Sequence, residues 1–310
     1  MKILISTSTF GQTSSKSLDL LEKHNFKVTL NPFKRKMNAE EIKELGKDAS
    51  AIIAGTEKYN KNLFNDLPRL RLISRVGIGT DSIDLEEMRK RDIELRTSDS
   101  LLSISVAELV LGLALNLSRR INSSSENIRR GSWQKNLGQL VHKKKVGIVG
   151  LGKIGEEVMK KFKSFETKIF AYDLEEKEEL VQEYDISYCS IEDIFSKCEI
   201  ISVHLNKTSL TEGLIGKKLL SLMKTNTILI NTSRGGIIDE NDLYNYLKAN
   251  KDIFVALDVF EKEPYHGPLI DLENVVLTPH IGSYTQDTRE QLELESVKNV
   301  INFFSKESKK

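Results

Sequence analysis

Three polar residues toward the end of the chain have the types and spacing of an acid–base site. Arg234 stands in Asn231-Thr-Ser-Arg-Gly-Gly236. Glu263 closes Leu257-Asp-Val-Phe-Glu-Lys-Glu263, just before Pro264, and His280 stands in Thr278-Pro-His-Ile-Gly282. Each motif follows a short apolar run of strand character. That predicts a place at a strand end, where open parallel sheets hold their ligands. An imidazole titrates near neutrality, at about 6.5 unperturbed, so it can give or take a proton in either direction of a reaction. A carboxylate beside it favours the charged ring. A guanidinium stays charged and can grip a carboxylate through two parallel hydrogen bonds. Together the three suit an anionic substrate that gains or loses one proton.

A hydride would be the partner of that proton, and its carrier has a candidate seat upstream. Gly150-Leu-Gly152-Lys-Ile-Gly155 follows the apolar run Val146–Val149 and opens a helical stretch, Glu156–Lys163. Gly150 permits the tight turn, Gly152 lets the backbone approach a pyrophosphate, and Gly155 lets the helix pack closely on the sheet. The pyrophosphate would sit on the helix N-terminus, facing free N–H groups. The next strand, Lys168–Ala171, ends at Tyr172-Asp173. Asp173 lies at about the separation expected of the acid that accepts both ribose hydroxyls and repels a 2′-phosphate. The expected cofactor is therefore NAD rather than NADP.

The elements that must position these residues follow an alternating pattern. Strands are expected at Lys2–Ser6, Phe26–Leu30, Ala51–Ile53 and Leu72–Ser74, with helices at Ser15–Lys23 and Ala39–Leu45. The alternation restarts at Lys145 with strand candidates Val146–Val149, Lys168–Ala171, Ile200–Val203, Thr227–Ile230, Phe254–Leu257 and Val275–Leu277. Short strands alternating with helices imply α/β architecture, and six such units imply a doubly wound parallel sheet of Rossmann type. A helix from Ser105 towards Arg119 carries apolar residues on more than one face, which predicts burial nearly all round, in the core or against another subunit. Asn122 to Gly138 is polar, holds the single tryptophan, Trp133, and reads as the crossover into a second domain. Gln286–Phe304 reads as a closing helix, with Ser305–Lys310 frayed.

Bulk composition excludes several classes. The apolar fraction of 39% and charged fraction of 29% describe an ordinary soluble protein, and 310 residues allow two domains. A formal charge of +1 argues against nucleic-acid binding through bulk charge. Lys34-Arg35-Lys36 and Lys143-Lys144-Lys145 read as solvated surface. Cys189 and Cys198 lack zinc-ligand spacing and make no disulfide framework, so no metal site is expected and a reducing, cytoplasmic location fits. Ile3-Leu-Ile5 is too short for a signal peptide, and Val106–Leu117 is short for a membrane span and contains Glu108.

Taken together, Gly150–Gly155, Asp173, Asn231–Gly236, Leu257–Pro264 and Thr278–Gly282 resemble the D-isomer-specific 2-hydroxyacid dehydrogenases. The resemblance extends to Arg75-Val-Gly-Ile-Gly-Thr-Asp81 and Ser105-Val-Ala-Glu108, and covers essentially the whole chain. It implies that Arg234 grips the substrate carboxylate and reacting carbonyl. It implies that His280 is the general acid in reduction and the base in oxidation, oriented by Glu263. It gives the backbone N–H groups of Val76 and Gly77 to the carboxylate. On the cofactor side it implies contacts from Lys153, Ile154, Thr232, Ser233, Asp258, Ser98 and the cleft position His204. It also implies a flavodoxin-like substrate domain, residues 1–100 plus 284–310, with the NAD-binding domain, 101–283, inserted. A hinge between them and a homodimer through the NAD-binding domain follow from the same resemblance.

Arg75 bears on the substrate. Its place before the carboxylate loop resembles the 3-phosphoglycerate dehydrogenases, where an arginine helps bind the phosphate. The chain ends about thirty residues after His280, which predicts a short form without a regulatory domain. Asp99, Leu102 and Asn206 depart from the proline and asparagine common at or near those positions. The expected activity is hydride transfer between NAD and a small D-2-hydroxy acid, such as D-3-phosphoglycerate. The alternatives are a glyoxylate or hydroxypyruvate reductase, and an NAD-sensing, corepressor-like binding protein.

Overall fold

The computed structural model describes residues 1–307. Residues 308–310, the end of the segment expected to fray, lie outside the described residues. The chain divides into two compact units: Met1–Leu102 with Tyr284–Lys310, and Ser103–Ser283.

In the first unit the strands β1 (Lys2–Ile5), β2 (Lys27–Leu30), β3 (Ala51–Ala54), β4 (Leu72–Arg75) and β5 (Glu94–Thr97) alternate with helices α1 (Lys16–Lys23), α2 (Ala39–Gly46), α3 (Lys61–Asn65) and α4 (Leu85–Lys90). The sheet is parallel in the order β2-β1-β3-β4-β5. This is the flavodoxin-like order. Its central strands β3 and β4 are buried at every position, as expected of parallel strands covered on both faces. β5 was not anticipated, because Glu94-Leu-Arg-Thr97 is a polar edge strand without an apolar run.

In the second unit a long helix, α5 (Leu102–Arg119, its first residue in unit 1), is followed by α6 (Ile121–Arg129). Val106, Val110, Leu113 and Leu117 make the buried stripe of α5, with Ala107 and Ala114 beside it. Ile104, Glu108 and Gly112 are exposed, so α5 is not buried all round within this chain. It is long and apolar enough to cross a membrane by length and composition alone, and half of it is buried. The segment expected as the crossover instead begins with α6 and lies inside this unit, which starts at Ser103.

The strands that follow are β6 (Lys145–Val149), β7 (Lys168–Tyr172), β8 (Ile186–Tyr188), β9 (Ile200–Val203), β10 (Ile228–Asn231), β11 (Phe254–Leu257) and β12 (Val275–Leu277). Between them run α7 (Lys153–Lys163), α8 (Glu178–Tyr184), α9 (Ile191–Lys197), α10 (Lys217–Leu220) and α11 (Glu240–Ala249). All are paired in parallel in the order β12-β11-β10-β9-β6-β7-β8. Counted from β6, this is the Rossmann order extended by one strand. β8 was also unforeseen, since Ile-Ser-Tyr is too short a signal. The strand order reverses between β6 and β9, and such a switch point opens a crevice at the strand ends. The chain then returns to the first unit as α12 (Gln286–Glu307).

Candidate active site

The glycine loop leaves β6 at that switch point. Gly152 caps α7 without a side-chain cap, and a Cβ built on it meets no atom within 4 Å. Backbone can therefore be approached closely at the start of the helix, where a pyrophosphate would meet the N–H groups of the first turn. Gly155 is required for packing: a Cβ there would lie 2.1 Å from the Gly150 carbonyl oxygen. Val158, Met159 and Phe162 bury the inner face of α7. Lys153 and Ile154 open the helix at the same end, with Lys153 exposed and Ile154 half-buried.

Asp173 follows β7. Its Oδ2 accepts the Leu151 N–H at 2.5 Å and its Oδ1 accepts the Leu174 N–H at 2.7 Å. The carboxylate is thus anchored to the glycine loop and remains half-buried. At the end of β9, the His204 N–H donates to the Val149 carbonyl at 2.7 Å. The imidazole turns back to Ser202, with Nε2 2.8 Å from Oγ. Burial pushes the ring down to about 3, so it is neutral at pH 7.

Three neighbouring strands, β10, β11 and β12, end in the three polar motifs. Beyond β10, the Asn231 side chain closes a tight loop. Its Oδ1 accepts the Ser233 N–H at 3.0 Å and the Ser233 hydroxyl at 2.7 Å, while its Nδ2 donates to the Arg234 carbonyl at 3.0 Å. This turn carries the half-buried Arg234 side chain, whose Nη1 donates to the Ser233 carbonyl at 2.7 Å. Gly235 presses against the backbone beyond β11: a Cβ there would sit 1.9 Å from the Phe260 carbonyl group. Thr232 is buried beside this turn.

Asp258 follows β11 and has no exposed surface. Its Oδ1 accepts the Thr278 hydroxyl at 2.6 Å and the Ile281 N–H at 2.8 Å, and its Oδ2 accepts the Gly282 N–H at 2.8 Å. Burial raises its pKa, while these three donors and the charge of His280 pull the other way. The three bonds grip the loop on both sides of His280, which itself adopts the left-handed region at φ 54°. His280 Nδ1 lies 3.0 Å from Glu263 Oε2 and 3.2 Å from Oε1. Glu263 Oε1 also accepts the Phe260 N–H at 3.2 Å. A carboxylate at Nδ1 places the ring proton there, which leaves Nε2 as the nitrogen able to exchange a proton.

In the first unit, Arg75 ends β4 with its side chain buried, and its Nε donates to the Gly79 carbonyl at 2.6 Å. A buried polar cluster lies at the ends of β1 and β3. The Ser6 hydroxyl donates to Glu57 Oε2 at 2.9 Å and lies 3.0 Å from the Tyr59 hydroxyl, and Glu57 Oε2 accepts the Gly55 N–H at 2.8 Å. Burial pushes the Tyr59 hydroxyl far up, with the charge of Arg75 acting against it. The Val76 N–H donates to the Ala54 carbonyl at 2.9 Å. Gly77 follows at φ 132°.

Comparison with known proteins agrees with this geometry. Residues 111–282 match the family described as D-isomer specific 2-hydroxyacid dehydrogenase, NAD binding domain. The chain is 39% identical over 258 residues to a glyoxylate reductase of Thermococcus litoralis, covering 80% of this chain and 78% of that one. It is 31% identical over 307 residues to a D-3-phosphoglycerate dehydrogenase of Archaeoglobus fulgidus, covering 97% of this chain and 57% of that longer one. A D-lactate dehydrogenase from Aquifex aeolicus, solved with NAD and lactic acid, superposes with a TM-score of 0.86 at 26% identity, covering 100% and 97%. The chain belongs to the D-isomer specific 2-hydroxyacid dehydrogenase family. It is an NAD-dependent oxidoreductase of that family.

Several residues expected from the family pattern are employed differently. The Val76 N–H is already used in the β3–β4 ladder and is not available to a carboxylate. Both Asp258 oxygens are engaged in holding the His280 loop. Ser98 is fully buried, and the His204 ring faces Ser202. These outcomes depend on pairings between distant segments. No local signal in the sequence marks Thr278 as a ligand of Asp258, or the pairing of Lys177 with Glu156 beside the glycine loop. Lys177 Nζ donates to the Leu151 carbonyl at 3.0 Å and forms a short contact with Glu156.

Proposed function

We propose that this chain interconverts a short 2-keto acid and its D-2-hydroxy acid, with glyoxylate or hydroxypyruvate as the type of substrate. NAD, when bound, supplies or accepts the hydride. The N-terminus of α7 would hold its pyrophosphate and Asp173 its ribose. Thr232 and Ser233 lie in the loop expected beside it. Arg234 binds the substrate carboxylate and polarises the carbonyl. His280 protonates the carbonyl oxygen through Nε2 during reduction and takes that proton back during oxidation. Glu263 holds the ring through Nδ1. The observation that carries this reading is the bond from His280 Nδ1 to Glu263 at 3.0 Å, at the end of the same sheet from whose β10 the Arg234 loop leaves.

In the same reading Arg75 supports the loop that follows β4 through the Gly79 carbonyl. A 3-phosphoglycerate substrate remains the second reading, favoured by the relationship to the Archaeoglobus fulgidus enzyme. Its phosphate would need a hand other than a buried Arg75. We further propose a cytoplasmic homodimer formed through the second unit, acting on small molecules rather than nucleic acid or membranes. The exposed Ile121, Ile128, Trp133, Leu137 and Leu140 support that interface. Light scattering at two protein concentrations tests it, and a monomer at both sinks it.

A panel of 2-keto acids with NADH tests the substrate. Glyoxylate and hydroxypyruvate should turn over with higher kcat/KM than 3-phosphohydroxypyruvate. The reverse order would select the second reading, and no turnover with any of them would favour a binding protein.

A further inference from the structure

The proposed chemistry does not use the charged pair beside the glycine loop. Lys177 lies four residues beyond Asp173, between β7 and α8, and its N–H donates to the Tyr188 hydroxyl at 3.0 Å. Its ammonium reaches back to the Leu151 carbonyl at 3.0 Å and to Glu156 in the first turn of α7. The Leu151 N–H goes to Asp173 Oδ2. One peptide position of the glycine loop is therefore held at both its polar groups by residues that follow β7. The Lys177 side chain keeps 35% of its surface exposed, so its ammonium is also within reach of solvent. The bond to Glu156 raises its pKa; burial opposes this, and the charges of Glu156 and Asp173 add to the rise. It is charged at neutral pH.

A dinucleotide with its pyrophosphate on α7 brings its adenine ribose to the acid after the second strand. An acid there favours the free 2′-hydroxyl, whereas a cation nearby accommodates a 2′-phosphate. This chain has both, close together, and a second carboxylate that occupies the cation. Asp173, Glu156 and Lys177 carry a net single negative charge. Neutralising Glu156 would bring that sum to zero and release the ammonium at the same time.

We propose that Glu156 is a second determinant of NAD selectivity, holding Lys177 on the glycine loop and so withholding it from a 2′-phosphate, while Asp173 repels that phosphate directly. The proposal rests on the NAD-binding reading of this loop. It makes Lys177 a latent phosphate ligand and Glu156 the residue that keeps it latent.

Equilibrium titration of NADH and NADPH, followed by the fluorescence of the bound nicotinamide without substrate, tests this. Wild type, Glu156→Gln and Glu156→Gln/Lys177→Met are compared. Glu156→Gln should tighten NADPH about tenfold and change NADH by less than about threefold, as one new charge-assisted hydrogen bond implies. Adding Lys177→Met should remove the gain. An unchanged NADPH to NADH ratio, or equal weakening of both coenzymes, would reduce the pair to a structural clip and overturn the proposal. A gain that survives Lys177→Met would also overturn it, since bulk charge alone would then explain it. Circular dichroism checks the fold of each variant, and Glu156→Ala replaces the glutamine if needed, with the same ratio read. A wild type that binds neither coenzyme fails the cofactor reading itself, and this proposal with it.

Discussion

Arg234 and Arg75 stand at matching places in two different sheets, each just beyond or at the end of a parallel strand and each bonded to a nearby carbonyl, yet they differ in burial. At the β10 end, Asn231 closes the turn and takes up the local backbone groups, and Arg234 stays half-buried. At the β4 end, Arg75 is buried, bonds the Gly79 carbonyl and lies near the buried Tyr59. Two histidines repeat the contrast within one sheet. His280, at the β12 end, bonds a carboxylate and keeps 38% of its side chain exposed, while the His204 ring, at the β9 end, is enclosed against a serine hydroxyl. Residue type and strand-end position identify candidates. How far the surrounding chain buries the side chain then separates the members of each pair.

The largest expected effect lies on the exposed side of that contrast. His280→Ala should lower kcat by about a hundredfold or more, the usual worth of a positioned general acid–base. Single-turnover kinetics with NADH and glyoxylate would read it directly, and equal rates in variant and wild type would remove His280 from the chemistry.

Asp258→Ala comes next. Three hydrogen bonds of about 1 kcal/mol each hold the segment that carries His280, and their loss should cut kcat by about ten- to a hundredfold. If Asp258 acts through His280, NADH affinity should change little. A loss confined to NADH binding would instead restore its expected place against the cofactor.

These two cases also mark what the sequence could reveal. Apart from β5 and β8, the strands of both sheets are legible because apolar runs bounded by turn residues are local signals, and Gly155 is legible because its steric role belongs to a known loop. The trio Arg234, Glu263 and His280 is legible as residue types at strand ends. What Asp258, Val76 and Lys177 do is not. Asp258 meets Thr278 and Gly282 only when β11 and β12 lie side by side, and the Val76 N–H is consumed only because β4 pairs with β3. The polar β5 escapes because its partner, β4, supplies the register that its own side chains do not announce.

On the enclosed side, Arg75→Met should act on stability. Leaving the Gly79 carbonyl without its donor, where the arginine was buried, costs about 1–3 kcal/mol. Urea unfolding should register that loss, and the KM values for hydroxypyruvate and 3-phosphohydroxypyruvate should rise together. A selective rise for the phosphorylated substrate would make Arg75 a phosphate ligand and erase the contrast with Arg234.

The smallest effect separates the two histidines. The folded-state pKa of His204 is depressed, to about 3, below the ordinary value near 6.5. Between those values the unfolded chain binds the proton and the native chain does not, so stability rises with pH there. The contribution is fully present above about 6.5 and is lost as pH falls toward 3. Between pH 7 and 5.5 that amounts to about 1 kcal/mol, less than the limiting slope of about 1.4 kcal/mol per pH unit because the unfolded histidine is only partly protonated near neutrality. Urea unfolding at the two pH values should show a decline in wild type that shrinks by about that amount in His204→Asn. If both proteins lose stability equally, the His204 ring is not held neutral by the fold. The two histidines would then differ in their partners but not in their enclosure.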